Sequence, residues 1–338
     1  MGKLLFSTAL SVLAMLISTN SSYGQANTIH QNAIERYSPK LDAIIGKNPD
    51  IETIMNGFDW CEGPLWVEKE KMLLVSDVPQ NTVYKWTQSK GKEIFLKPSG
   101  YTKDIPRGGE MGSNGLTLTK DGKLLLCQDG DRRLGIMNAS LKSPKSDFKT
   151  LTDNYKGKKF NSPNDMSVAK NGDIYFTDPP YGLEKKMDDP LKELPFQGVF
   201  KVTKTGHTTL LTDTIDRPNG IALFPDGKSI LISNSYRPKS YIFKYDLDAN
   251  GLLTNGTIFF DARKASETEK GAPDGLKIDK NGNVFASGPG GIWIISKSGE
   301  VLGRIKVSPV ASNCALSDDE KTLFITADDH VLKVKLRN

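Results

Sequence analysis

Six short segments of this 338-residue chain each begin on a side chain that carries oxygen and then run into an apolar strand pattern. They are Glu62-Gly-Pro-Leu-Trp, Asn114-Gly-Leu-Thr-Leu, Asn164-Asp-Met-Ser-Val, Asn219-Gly-Ile-Ala-Leu, Asp274-Gly-Leu-Lys-Ile and Asn313-Cys-Ala-Leu-Ser. Four of the leading residues are followed seven positions later by a turn dipeptide: Asp121-Gly122, Asn171-Gly172, Asp226-Gly227 and Asn281-Gly282. Asp-Gly and Asn-Gly between apolar runs are strong hairpin signals, because both residues tolerate the backbone angles that a tight turn demands. A second strand follows each turn: Lys123–Cys127, Asp173–Thr177, Ser229–Ser233 and Asn283–Ser287. The first and last repeats keep the plan with Glu68–Lys71 and Asp318–Lys321 as turns, leading into Met72–Ser76 and Thr322–Thr326.

The leading residues are separated by 52, 50, 55, 55 and 39 positions. A strand-and-turn period of that size predicts an all-β, six-bladed β-propeller, one four-stranded blade per repeat around a central channel. Helical solenoids also repeat, but no long segment beyond the N-terminal apolar run carries the 3.6-residue periodicity they need. The last repeat ends in a strand at His330–Leu336, and Asp50–Met55 is expected to add the outer strand that closes the ring and protects its edge.

The N-terminus reads differently. Lys3 precedes an apolar run from Leu4 to Ile17, and small residues Ser22 and Gly24 stand before Gln25. This is the pattern of a secretory signal peptide over residues 1–24, leaving 25–338 as one propeller domain that is periplasmic or secreted. The run is short for a membrane span, and no other stretch of the mature chain is long enough for one. Removing Lys3 lowers the net charge from +5 to +4, a mild excess spread along the chain that is no nucleic-acid footprint. Cys61, Cys127 and Cys314 are odd in number, and are read as small buried hydrophobes.

In a propeller the innermost strands run along the axis, so equivalent positions from different blades meet at one rim. Glu62, Asn114, Asn164, Asn219, Asp274 and Asn313 therefore converge into an all-oxygen central metal site with two formal negative charges. Such a site suits a hard divalent cation, Ca2+ best of all, with Zn2+, Mn2+ and Mg2+ as alternatives. Zn2+ would favour His and Cys ligands, and the chain has three of each. Turn chemistry alone explains a repeated Asn, but gives no reason for Glu62 in phase with Asp274.

Several motifs now carry a resemblance. Glu62-Gly-Pro-Leu-Trp66, Asn114-Gly-Leu-Thr-Leu, Ser162-Pro-Asn-Asp165, Tyr175-Phe-Thr-Asp-Pro-Pro-Tyr-Gly182, Arg217-Pro-Asn-Gly220 and Ala272-Pro-Asp-Gly275 together resemble the SMP-30/gluconolactonase/luciferin-regenerating-enzyme-like propellers from about Gly57 onward. The resemblance implies a metal held by Glu62, Asn164, Asn219 and Asp274, with Asp274 also the candidate general base. It implies a small-molecule lactone as substrate, hydrolysed by carbonyl polarisation and water attack, and places Asn114 against the substrate. An aryl-ester or organophosphate hydrolase and a non-catalytic binding propeller are the competing readings. Some members place an Arg where this chain has Ser162, and Arg132 or Arg133 is the expected replacement cation. Asn164 is also expected to orient the substrate ring, and Tyr181 to line the pocket. Two insertions, Ser99–Gly112 and Glu184–Gly198, are candidate lids. Asp246-Leu-Asp-Ala-Asn-Gly251 begins like an EF-hand loop, but Thr257 stands where the bidentate Glu belongs, so a hairpin turn is expected there.

Overall fold

The computed structural model describes residues 1–2 and 34–337. The expected signal peptide lies outside the described residues. The sheets form six antiparallel blades in sequence order. Blade 1 comprises Cys61–Val67, Met72–Asp77, Thr82–Thr87 and Gly91–Leu96, and blade 2 Ser113–Leu118, Leu124–Gln128, Arg133–Met137 and Phe148–Thr152. Blade 3 is built from Met166–Val168, Ile174–Asp178, Gly198–Val202 and Thr208–Thr212, and blade 4 from Pro218–Leu223, Ser229–Asn234, Tyr241–Leu247 and Leu253–Asp261. Blade 5 uses Leu276–Ile278, Val284–Gly288, Gly291–Ile295 and Val301–Lys306, and blade 6 Asn313–Leu316, Thr322–Ala327 and His330–Lys335.

The ring closes as the repeat count requires. Ile51–Asn56 pairs with His330–Lys335 as the outer strand of blade 6, from Ile51 opposite Val334 to Asn56 opposite His330. A second N-terminal strand, Ile34–Arg36, adds a fifth strand to blade 5 by pairing with Val301–Lys306. No pattern marks it beforehand, since three residues are too few for an alternation to show.

Alternation explains how blades stack. In Leu124–Gln128, Leu124 and Leu126 enter an apolar cluster shared with Val67, Leu74 and Val83 of blade 1. Leu125 and Cys127 point the other way, toward Phe176 and Phe200 of blade 3. The same two-faced burial recurs between every adjacent pair of blades, giving six clusters. Cys61, Cys127 and Cys314 are free, buried and in three different clusters.

The turn dipeptides behave as their chemistry dictates. Gly122, Gly172, Gly227 and Gly282 all have positive φ, between 72° and 91°, and each donates its N–H three residues back, to Thr119, Ala169, Phe224 and Asp279. Asp248 Oδ1 accepts from the N–H groups of Asn250 and Leu252 at 2.8 Å, so the EF-hand-like stretch is a hairpin turn, as expected.

Near the axis hydroxyls tie five of the six adjacent blade pairs, and blades 2 and 3 are joined by the main-chain bond from Gly115 N to Asn164 O at 2.8 Å. Ser76 donates to Asn114 O at 2.9 Å, Thr177 to Asn219 O at 2.6 Å, and Ser233 to Asp274 O at 2.7 Å. Ser287 donates to Ser312 O at 2.8 Å, and Ser312 to Cys61 O at 2.7 Å. Glycines make this approach possible. A Cβ at Gly63 would lie 2.0 Å from Asn114 O, and one at Gly220 would lie 2.1 Å from Asp274 O. With backbones fixed by their neighbours, the leading side chains turn toward the axis.

Candidate functional site

Five of the six leading residues line one axial cavity of about 320 Å³: Glu62, Asn114, Asn164, Asn219 and Asp274. Glu62, Asn114, Asn164 and Asn219 are buried and Asp274 is half-buried, and the inner strands or the loops entering them fix their positions. Tyr181 lines the same cavity.

Asn313, the sixth, stands apart from the lining. Its Nδ2 donates to Glu62 Oε2 at 3.2 Å, and its Oδ1 accepts from Lys277 Nζ at 3.2 Å and from Cys314 N at 2.9 Å. The expectation that all six leading residues converge on the cavity is corrected to five, with Asn313 bonded to one of them. Space is the reason. A Cβ at Gly275 would fall 1.9 Å from the Asn313 carboxamide carbon, so that side chain fills the gap between blades 5 and 6.

Arg133 is not brought to the cavity. It pairs with Asp131 at 2.9 Å and donates to Gln128 Oε1 at 2.6 Å and Thr150 Oγ1 at 2.9 Å. Arg132 donates to the carbonyls of Phe160 at 2.6 Å and Leu191 at 2.8 Å, bracing the second insertion. Both side chains are committed to the scaffold, so neither replaces the cation missing at Ser162. Ser162 itself is buried, donating to Pro179 O and accepting from Gly182 N.

Three charged or hydroxyl-bearing residues of the lining escaped the sequence reading, Glu110, Ser235 and Arg237, as did the apolar Trp60, Val310 and Ala311. Glu110 belongs to the Ser99–Gly112 insertion, and its being the one acid between two glycine-rich stretches was the available signal. Ser235 and Arg237 follow the second strand of blade 4, where no repeat position marks them.

The electrostatics are those of carboxylates short of a counter-charge. Burial pushes the Glu62 carboxyl up to about 7, with the charge of Asp165 adding to it and the Gly63 N–H and the Asn313 amide opposing. Asp274 is held well above the usual carboxylate range by burial and by the nearby charges of Glu62, Asp165 and Glu110. Its Oδ1 is buried without a hydrogen-bond partner, as is Asn114 Oδ1. A buried, unpartnered oxygen is costly unless something occupies it. The donors are all oxygen, two of them acids, which fits a hard divalent cation.

Residues 60–329 match the SMP-30/Gluconolactonase/LRE-like region. The chain belongs to this SMP-30/gluconolactonase-like family. A gluconolactonase from Zymomonas mobilis is 40% identical, over 96% of this chain and 94% of its own. Among solved structures, a gluconolactonase from Xanthomonas campestris superposes with a TM-score of 0.78 at 26% identity, covering 93% of this chain and 98% of that one. A calcium-binding regucalcin from Agrobacterium tumefaciens shares the fold, with a TM-score of 0.64 at 15% identity over 85% of this chain and 94% of that one. The expected family membership and propeller architecture are therefore borne out.

Proposed function

We propose that this protein is a divalent-metal-dependent lactonase that hydrolyses a sugar lactone of the gluconolactone type. The observation that carries it is the buried, partnerless Oδ1 of Asp274 facing a cavity lined by Glu62, Asn114, Asn164 and Asn219. The Zymomonas relative, named for gluconolactone hydrolysis and matched over nearly the whole chain, supports an enzyme acting on carboxylic ester bonds.

Glu62, Asn164, Asn219 and Asp274 would hold the cation, for which Ca2+ is the reading the oxygen donors favour. A cation bound there supplies Lewis-acid polarisation of the lactone carbonyl. The chain's own groups do the rest. Asn114 Oδ1 has no partner and accepts a ring hydroxyl, orienting the substrate. Tyr181 walls the cavity, and its buried hydroxyl stays protonated because burial and the charge of Asp274 push its pKa up. The walls exclude bulk water from all but the open side, which strengthens every charge interaction within. We also infer that residues 1–24 are cleaved on export, which N-terminal sequencing of the mature protein tests.

The deciding experiment is a hydrolysis panel of sugar lactones, aryl esters and phosphotriesters, run after chelation and after readdition of Ca2+, Mg2+, Mn2+ or Zn2+. The expected result is lactone turnover lost on chelation and restored by Ca2+. Full turnover in chelated protein removes the metal reading, and turnover of phosphotriesters alone removes the lactone.

A further inference from the structure

We propose that Lys277 sets the charge of the axial site. By cancelling the carboxylate of Asp165 it leaves two unpaired acids there, which match a divalent cation and disfavour a trivalent one. The inference rests on the metal-dependent reading above and concerns how the cation is chosen and how tightly it is held.

Three other acids act most strongly on Asp274: Glu62, Asp165 and Glu110. Glu62, Asp274 and Glu110 line the cavity, and Asp165 follows Asn164 directly, with its side chain 5% exposed. Two of these four have a lysine. Lys277 Nζ lies 3.7 Å from Asp165 Oδ2, and Lys186 Nζ lies 3.8 Å from Glu110 Oε1. Among the described residues Glu62 and Asp274 have no ion pair, so of the four they alone keep an uncompensated charge. A third uncompensated carboxylate would tighten the hold on a cation while weakening its pull on a lactone carbonyl.

Lys277 reaches Asp165 across the channel. It belongs to the first strand of blade 5 and Asp165 to the loop entering blade 3, so the pair joins blades that are not neighbours. Its remaining bonds fix it there, since Nζ donates to Leu276 O at 3.1 Å and to Asn313 Oδ1 at 3.2 Å. Asp165 is held from its own side, Oδ1 accepting from Met166 N at 2.8 Å. Its Oδ2 is buried and takes no hydrogen bond, which leaves Lys277 as its one compensation among the described residues. Charges this far from solvent are weakly screened, so removing either member leaves the other acting on whatever occupies the axis.

Lys277 also touches the site through Asn313, whose Nδ2 donates to Glu62 Oε2 at 3.2 Å. The two routes have opposite signs. As a charge, Lys277 repels a bound cation; as an anchor for Asn313, it steadies an acid that would hold one. Cys314 N donates to the same Asn313 oxygen at 2.9 Å and keeps that amide oriented when the ammonium is gone. A unit charge acting on a divalent ion outweighs the loss of one of two donors to an amide oxygen, so the charge route decides the outcome.

The test measures cation binding by the full-length, metal-free protein. Ca2+ is followed by calorimetry, and Tb3+ by the emission that Trp60 and Tyr181 of the cavity lining sensitise. Lys277→Met is expected to tighten Ca2+ binding by roughly 10- to 100-fold. The interaction scales with ion charge, so a tenfold gain for Ca2+ corresponds to roughly thirtyfold for Tb3+, and selectivity moves toward the trivalent ion. Asp165→Asn strands the ammonium instead, and is expected to weaken both ions by comparable factors. The double variant Lys277→Met/Asp165→Asn restores the net charge, and Lys277→Arg keeps it; each should bind Ca2+ within about threefold of wild type.

Ca2+ binding that is unchanged or weaker in Lys277→Met overturns the assignment, the weaker result showing that the Asn313 anchor prevails. Asp165→Asn binding as tightly as wild type, or Tb3+ gaining no more than Ca2+ in Lys277→Met, overturns it as well. A wild type that binds no divalent cation removes the metal-dependent function and this inference together. A wild type that binds Ca2+ and hydrolyses a lactone, with Lys277→Met binding no tighter, removes this inference alone.

Discussion

Asn313 donates from Nδ2 to Glu62 Oε2 across 3.2 Å, so the last blade's leading residue steadies the first blade's acid. Glu62 also accepts from Gly63 N at 2.9 Å through the same oxygen. The contact joins the two ends of the ring at the cavity. Replacing Asn313 by Ala is expected to weaken divalent-cation binding by roughly 10- to 100-fold, the usual cost of losing a group that orients a metal ligand. Calorimetric titration of the apo protein measures it, and an affinity equal to wild type refutes the positioning role.

Lys277 Nζ lies 3.7 Å from Asp165 Oδ2, an oxygen that is buried and has no hydrogen bond. Lys277→Met leaves that carboxylate without an opposite charge, and a loss of about 1–3 kcal/mol of stability is expected from the stranded acceptor. The double variant Lys277→Met/Asp165→Asn should recover part of the loss, since the pair is coupled. Denaturant melts of the three proteins decide it; strict additivity contradicts the pairing.

The Glu62 carboxyl, pushed up to about 7 by burial from an ordinary 4.5, makes the cation-free fold sensitive to pH. Its stabilising proton is fully present below the unfolded value and is lost as pH rises through about 7, so the chelated protein should melt at lower temperature as pH climbs from about 5 to about 8. A cation displaces the same proton, so binding should tighten with rising pH and release protons into the buffer. Melting temperatures with and without Ca2+ across that window supply the check. A chelated protein that gains stability toward pH 8 contradicts the linkage.

Asp274→Asn and Glu62→Gln remove one formal charge each while keeping the shape of the cavity. Either change is expected to abolish measurable Ca2+ binding and lactone turnover together, leaving the melting temperature of the chelated protein equal to or above wild type, because a buried, repelled carboxyl has gone. Retained turnover in both variants is the result that excludes them as metal-holding residues.

Gly220→Ala would put a Cβ 2.1 Å from Asp274 O and 2.8 Å from Gly275 Cα, both main chain and unable to step aside. Blades 4 and 5 must then separate near the axis, at a cost on the order of 1–3 kcal/mol as for other overpacked sites. The loss should appear as a lowered melting temperature with weakened Ca2+ binding, and a wild-type profile in both refutes the steric reading.

The blades were legible because their signals are local. Asp121-Gly122 and its counterparts announce hairpins through backbone chemistry alone, and Leu124 to Cys127 announces burial on both faces. The axial residues were legible because repetition puts Glu62, Asn114, Asn164, Asn219 and Asp274 in one phase. What stayed hidden depends on contacts that period cannot encode. Asn313 shares the phase, yet Gly275 leaves a gap that its side chain fills, turning it from the cavity toward Glu62. Arg133 looked free in the sequence, but Asp131 and Gln128 claim it. Glu110 sits in an insertion with no counterpart in other blades, and only the packing of Gly108 against Glu184 shows which way it faces.

Ile51–Asn56 completes the blade that the last three strands of the chain begin. Its partner, His330–Lys335, is the last described strand, so this seam can form only once every blade has been made. A chain cut short before His330 keeps Glu62, Asn164, Asn219 and Asp274 in its sequence but has no seam to draw blade 1 back against blade 6. For such a fragment the site is present in composition and absent in space.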